Sequence, residues 1–231
     1  MIDAEWWDYD DADEMAEAVA GDIAYIIGQA LEARGRALVA FPGGSTPLPA
    51  LKLLAETKLE WADVTILPTD DRLVPVTDPM SNAGMLARLF LPKKARVLPL
   101  TAGEKDHVAA GRAADERIAD LDWPLDVAWL GVGEDGHTAS IFPGPDFDAA
   151  IAGPKARRAI GVRPDPLPAN APVPRVTLTG PTLVSARTVT LVLQGKAKRK
   201  VVEQALKQGA SSPLPFGTLL AELDLHIALH S

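Results

Sequence analysis

The chain has 231 residues, 47% of them hydrophobic and 23% charged, with a formal net charge of -8. That is material for a sizeable core in one domain over residues 1–231, and an acidic balance that argues against nucleic-acid binding, although a few local cations can still hold a small anion. The absence of cysteine removes disulfides, thiol nucleophiles and Cys-based zinc sites; neither a leader peptide at the acidic start MIDAEWWDYDDADEM nor a membrane-spanning apolar run is visible, so a cytoplasmic protein is expected.

Residues 11–34 read as an amphipathic helix. Ala12, Met15, Val19, Ile23, Ile26, Ala30 and Leu31 recur at helical spacing, Asp11 and Glu14 fit a capping box, and Gly35 fits a helix stop. Arg36–Phe41 is a short apolar strand running into PGGSTP, residues 42–47. Thr46 fits an N-cap and Pro47 a first helical residue, with the helix continuing to about Glu56. A strand, a Gly-Gly turn with hydroxyls and a helix start make a phosphate cradle, because free backbone N–H groups and the helix dipole favour an anion. The same residues also suit a tight turn, and no Walker Gly-Lys-Ser/Thr follows. Val64–Leu67 is the next strand and leads into Asp70, Asp71 and Arg72. Ser81 caps a helix through about Phe90.

Val97–Leu100 reads as a weak strand, and Lys105–Leu121 as a charged surface helix with His107 exposed. Leu125–Leu130 is a buried strand that delivers the richest stretch, LGVGEDGHTASIFPG at 130–144. Its glycines let the backbone turn tightly and approach a ligand, and Asp135 and His137 sit among them. A strand ending in such a turn is a common way to build a site at the edge of a parallel sheet. Ala159–Val162 reads as a strand, and the proline-rich run 163–174 as a stiff loop near the site. Arg175–Thr179 alternates as a strand, Pro181–Ala186 is a short helix and Thr188–Gln194 a strand. Gly195-Lys196 then opens a basic helix through Lys207. Its cluster Lys196, Lys198, Arg199 and Lys200 reads as a solvated face, with Lys196 set apart by its place at the strand end. Leu223–Leu229 closes as a strand, with His226 and His230 structural. Strands alternating with helices give an α/β fold: a single-domain, mostly parallel sheet with helices on both faces, Rossmann-like, whose ligands bind at the strand C-termini.

Six pieces, PGGSTP (42–47), DDRLVP (70–75), SNAGML (81–86), the stretch 130–144, PRVTLTGPTL (174–183) and Gly195-Lys196, stand in an order that resembles the 6-phosphogluconolactonase family. That family shares its fold with glucosamine-6-phosphate deaminases and ribose-5-phosphate isomerases. The resemblance covers residues 40 to about 200. It implies hydrolysis of 6-phospho-D-glucono-1,5-lactone to 6-phosphogluconate in the pentose phosphate pathway; no cofactor is expected, and four histidines scattered at 107, 137, 226 and 230 without metal-ligand spacing predict a metal-free reaction. The expected partner is the sugar-phosphate lactone, with neither nucleic acid nor membrane; monomer and dimer both stay open.

The resemblance implies that His137 is the general base, and the chemistry agrees: an imidazole can accept the proton of a water attacking the lactone carbonyl. Asp135 could orient the ring or stabilise the imidazolium, and turn N–H groups or Arg72 could meet the oxyanion. The 6-phosphate is expected at Gly43, Gly44, Ser45 and Thr46, with Arg175 and Lys196 supplying charge and Asp70 among the substrate-binding residues. One departure is Asp71, where the family usually has Glu. Two rival readings are an amino-sugar-phosphate deaminase or isomerase on the same fold, and a non-catalytic sugar-phosphate sensor. The deaminases continue with Phe-Asn-Glu where this chain has Ala139-Ser140-Ile141-Phe142, and they lack an arginine like Arg72. The sensors carry a helix-turn-helix domain ahead of the sugar-binding part.

Overall fold

The computed structural model describes residues 4–104, 106–221 and 227–230. The first half runs β1 (Ala4–Trp7), α1 (Ala12–Arg34), β2 (Ala37–Phe41), α2 (Leu48–Ala55), β3 (Val64–Pro68), β4 (Asp70–Arg72), α3 (Asn82–Phe90), β5 (Arg96–Val97) and α4 (His107–Ile118). The second half runs β6 (Val127–Leu130), α5 (Phe147–Ile151), β7 (Ala159–Val162), β8 (Arg175–Leu178), α6 (Gly180–Val184), β9 (Thr188–Val192), α7 (Lys196–Gln208), α8 (Pro215–Ala221) and β10 (Ile227–His230). Among the described residues, seven strands form one parallel sheet in the order β1-β10-β9-β6-β2-β3-β5.

The apolar runs follow from that position. All five residues of β2 are buried, because helices cover both faces of the sheet. Leu38 and Ala40 join a cluster with Ala114, Ile118, Val202 and Phe216. Ala37, Val39 and Phe41, pointing the other way, join Val19, Ile23, Leu51 and Leu86. Phe41 also meets Phe90 at 6.0 Å and Trp129 edge-on at 6.1 Å between ring centroids. α1 is bounded as its sequence indicates: the Asp11 carboxylate accepts from the N–H groups of Asp13 and Glu14, and Gly35 at φ 69° closes the helix with its N–H on the Leu31 carbonyl. No helix among the described residues is long and apolar enough to cross a membrane.

Several elements differ from the sequence reading. α2 begins at Leu48, with Pro47 as its cap residue and no side-chain cap, so Thr46 is not an N-cap; it lies in the preceding turn. The weak strand is two residues, Arg96–Val97. α4 is shorter than 105–121 because Asp106 caps it, its side chain accepting from the Ala109 N–H; His107 is partly buried, not exposed, and Lys105 lies outside the described residues. The last strand is β10; residues 222–226, including His226, also lie outside the described residues.

The largest difference is a second sheet. β4, β8 and β7 form a small antiparallel sheet in that order, so two strands expected in the parallel sheet, 159–162 and 175–178, belong elsewhere. Asp70 and Arg72, which read as turn residues at a strand end, are ladder residues of β4, opposite Thr177 and Arg175. This small sheet stands next to the C-terminal edge of the large one, with the Leu178 N–H donating to the Thr69 carbonyl at 2.9 Å.

Candidate active site

The loops that leave β2, β3 and β6, and the helix that follows β9, converge on one cleft of about 280 Å³. Gly43, Gly44, Ser45 and Thr46 line one wall; Asp70, Arg72, Asn82, Gly133 and His137 line others, and Lys198 reaches in from α7. The turn after β2 requires its glycines. Gly44 sits at φ +99°, and a Cβ on Gly43 would lie 1.7 Å from the Asn82 side-chain oxygen.

Asn82 ties this wall to the arginine. Its Oδ1 accepts from Arg72 Nη1 at 2.8 Å, and its Nδ2 donates to the Asp70 carbonyl at 2.7 Å. Asn82 is itself fixed by Asp71. That carboxylate is fully buried and accepts from the N–H groups of Arg72, Asn82 and Ala83 and from the Ser81 hydroxyl. Burial pushes the Asp71 carboxyl above its ordinary pKa, while the backbone donors of Asn82 and Ala83 pull the other way. Asp71 therefore anchors the start of α3 to β4, which the shorter acid achieves by direct contact. Asp70 faces the site instead: its Oδ2 accepts from the Ser140 hydroxyl at 2.5 Å.

The loop after β6 holds the imidazole. The Gly133 N–H donates to the His137 carbonyl at 2.9 Å, and the Thr138 hydroxyl to the Gly131 carbonyl at 2.8 Å. Asp135 Oδ1 accepts from the His137 backbone N–H at 3.2 Å and lies 2.5 Å from ring Nδ1. The bond from His137 holds the Asp135 carboxyl below the usual carboxylate range. It also assigns the Nδ1 proton and leaves Nε2 as the free base position. The ring stacks on Phe142 at 4.2 Å and 22°. Ala139 takes a left-handed φ of 49°, a strained backbone for a residue with a Cβ, at the wall of the cleft.

A second chamber of about 580 Å³ adjoins the first, sharing Asp70, Arg72, His137, Ala139 and Asn170. Its far side is apolar, with Phe142, Pro164, Pro166, Leu167 and Pro168 from the proline-rich loop. Arg175 lines this chamber and not the Gly43–Thr46 cleft. It is 3% exposed, and burial above all lowers its pKa, helped by the charge of Arg72 and opposed by that of Asp70. Lys196 is exposed and lines neither space; Lys198, two residues on, takes the place expected of it. Asn82 and Lys198 line the cleft although the sequence reading did not pick them for it: Asn82 stands within the quoted SNAGML, and Lys198 reads as part of a solvated helix face, which its place in the cleft corrects. Among the described residues no three His, Cys, Asp or Glu side chains gather as a set of metal ligands. The arrangement brings an imidazole, a Gly-rich turn and the cations Arg72 and Lys198 around one cleft, with the buried Arg175 in the adjoining chamber, a combination suited to attack by water on a carbonyl of a phosphorylated substrate.

Known proteins align along almost the whole chain. The family model described as glucosamine-6-phosphate isomerases/6-phosphogluconolactonase matches residues 10–226. A 6-phosphogluconolactonase of Mesorhizobium japonicum is 36% identical over 218 residues, covering 90% of this chain and 88% of its own length. One of Pseudomonas putida is 36% identical over 221 residues, covering 94% and 89%. The crystal structure of a 6-phosphogluconolactonase from Shewanella baltica superposes with a TM-score of 0.90 at 28% identity, over 100% of both chains. With its parallel sheet, its site loops and this match in hand, the chain belongs to the family of glucosamine-6-phosphate isomerases and 6-phosphogluconolactonases.

Proposed function

We propose that this protein hydrolyses 6-phospho-D-glucono-1,5-lactone to 6-phosphogluconate, with His137 as the general base. The observation that carries the mechanism is the Asp135–His137 pair, 2.5 Å from carboxylate to Nδ1, on a loop whose imidazole lines both the Gly43–Thr46 cleft and the chamber of Arg175. Nε2 takes a proton from water as its oxygen adds to C1, and the carbonyl electrons move onto the exocyclic oxygen. When the oxyanion collapses, the C1–ring-oxygen bond breaks and the imidazolium returns its proton to the ring oxygen. Water is consumed, and the acid formed ionises at neutral pH. Asp135 stays charged throughout, holding the tautomer and stabilising the imidazolium.

The phosphate sits at Gly43–Thr46 with Lys198, remote from C1, so its contacts act alike on ground and transition state and mainly set KM. The test is a lactone-hydrolysis assay corrected for the spontaneous reaction, with phosphorylated and unphosphorylated gluconolactone. Acceleration of the first above buffer, with a much weaker effect on the second, is expected; a rate equal to the buffer blank removes the reading.

A further inference from the structure

Arg72 and Arg175 are register partners across the antiparallel β4–β8 ladder. Side chains directly opposite in such a pair lie on one face, about 4.5–5.5 Å apart at Cβ, and like charges there are destabilising. Each guanidinium is only partly satisfied. Arg72 Nη1 donates to the Met80 carbonyl and to Asn82, and Arg175 Nη2 to the Ala171 carbonyl at 3.1 Å. Arg72 Nε and Arg175 Nη1 are buried with no hydrogen-bond partner, and they are the two such side-chain atoms among the described residues. A buried donor left unmet is costly, and two on neighbouring cations more so. Both side chains line the chamber that adjoins the Gly43–Thr46 cleft, and Arg72 stands where the two spaces meet, lining the cleft as well. Asp70, which also faces that chamber, accepts from the Ser140 hydroxyl and makes no hydrogen bond to either arginine, although its charge acts on Arg175.

We infer that Arg72 and Arg175 form a second anion subsite, which takes the carboxylate of an aldonate 6-phosphate at C1 while the cradle takes its phosphate. The inference rests on the lactonase reading for the direction in which the substrate lies. In the reaction, the same donors meet the oxyanion that forms at C1, so they bind the charged transition state better than the neutral lactone. Sugar phosphates with a neutral C1 leave the pair unmet and bind more weakly than the aldonate.

Calorimetry with two ligands tests this. 6-Phosphogluconate carries both phosphate and carboxylate; glucitol 6-phosphate has the same phosphate and hydroxyl chain but a neutral C1. The wild type should bind the first about ten- to hundredfold more tightly, the worth of a charge-assisted contact. Arg175→Gln and Arg72→Gln should each erase most of that preference and leave glucitol 6-phosphate binding within about threefold of wild type. Equal binding of the two ligands by the wild type overturns the subsite, as does a parallel loss of both ligands in folded variants. If Arg175→Gln does not fold, the wild-type comparison and Arg72→Gln decide. A protein that shows the preference yet leaves lactone at its buffer rate keeps the subsite and loses the lactonase reading. One that hydrolyses lactone without the preference loses the subsite alone.

Discussion

The two ends of the central sheet hold cavities of nearly equal size, about 280 Å³ at the strand C-termini and about 270 Å³ at the N-termini. Both carry arginine and aspartate in their walls, Arg72 and Asp70 at the first and several of each at the second. They differ in whether the buried charge is answered. At the N-terminal end Asp126 is 4% exposed and fully met: Arg34 and Arg187 pair with its Oδ1, and its Oδ2 accepts from the Leu38 N–H at 3.0 Å. At the C-terminal end, Arg72 on the cleft and Arg175 on the chamber adjoining it each have a buried N–H with no partner. Volume therefore does not separate a structural cavity from a working one. The hydrogen-bond ledger does: a satisfied charge holds the fold, and an unsatisfied one is held ready for something else.

Four experiments can break or sharpen this contrast. The largest effect is expected from His137→Ala, which should lower kcat by roughly 10²–10⁴ with an unchanged melting temperature, since a partly exposed ring supplies chemistry and little packing. A folded variant with near-normal kcat would move the base elsewhere, with Asp70 or Asp135 next in line. Asp135 comes next. Its carboxylate, held below the usual carboxylate range by the bond from His137, fixes the ring through Nδ1. Asp135→Asn should cut kcat about ten- to hundredfold with KM little changed. A folded variant with unchanged kcat contradicts the pairing.

Lys198→Ala should raise KM for the phosphorylated lactone by about ten- to hundredfold and spare unphosphorylated gluconolactone. Lys196→Ala should do neither, and the reverse pattern would restore Lys196 to the phosphate. The smallest effect on turnover belongs to the opposite edge. Asp126→Ala should leave kcat unchanged and cost about 1–3 kcal/mol of stability, kept modest by the exposure of its two arginines. Thermal unfolding should report it as a melting temperature lowered by roughly 3–10 °C. Lost activity without lost stability would show that the N-terminal cavity also works.

What could be read without coordinates follows the range of the forces involved. The caps of α1, the buried run of β2 and the Gly-rich loop around His137 are written in neighbouring residues, and the structure has them where the sequence placed them. The Lys196–Lys198 assignment turns on helix phase. Two residues along a helix is about 200° around it, so only one of the two can face the cleft, and charge alone does not say which. The β4–β8 pairing joins strands separated by about a hundred residues, and no local periodicity encodes a partner that distant. For the same reason Arg72 and Arg175 were legible as single cations and not as a pair. The burial of Asp71 is not written beside it either, because the Asn82 and Ala83 donors come from α3, whose start is folded back onto β4.

That pairing also sets an order in time. β4 is three residues long, and its one ladder partner is β8. At ribosomal speeds of about 5–20 residues per second, roughly 5–20 s pass between the synthesis of Arg72 and that of Arg175. Through that interval the nascent chain can already hold β2, β3 and the helices beside them, while Asp70 and Arg72 have no strand to lie against. Lys198 follows later still. The site is thus assembled last, on a scaffold that has begun to fold before it. A chain stalled or cut between β7 and β8 would carry His137 and the Gly43–Thr46 turn but neither Arg175 nor the strand that β4 pairs with.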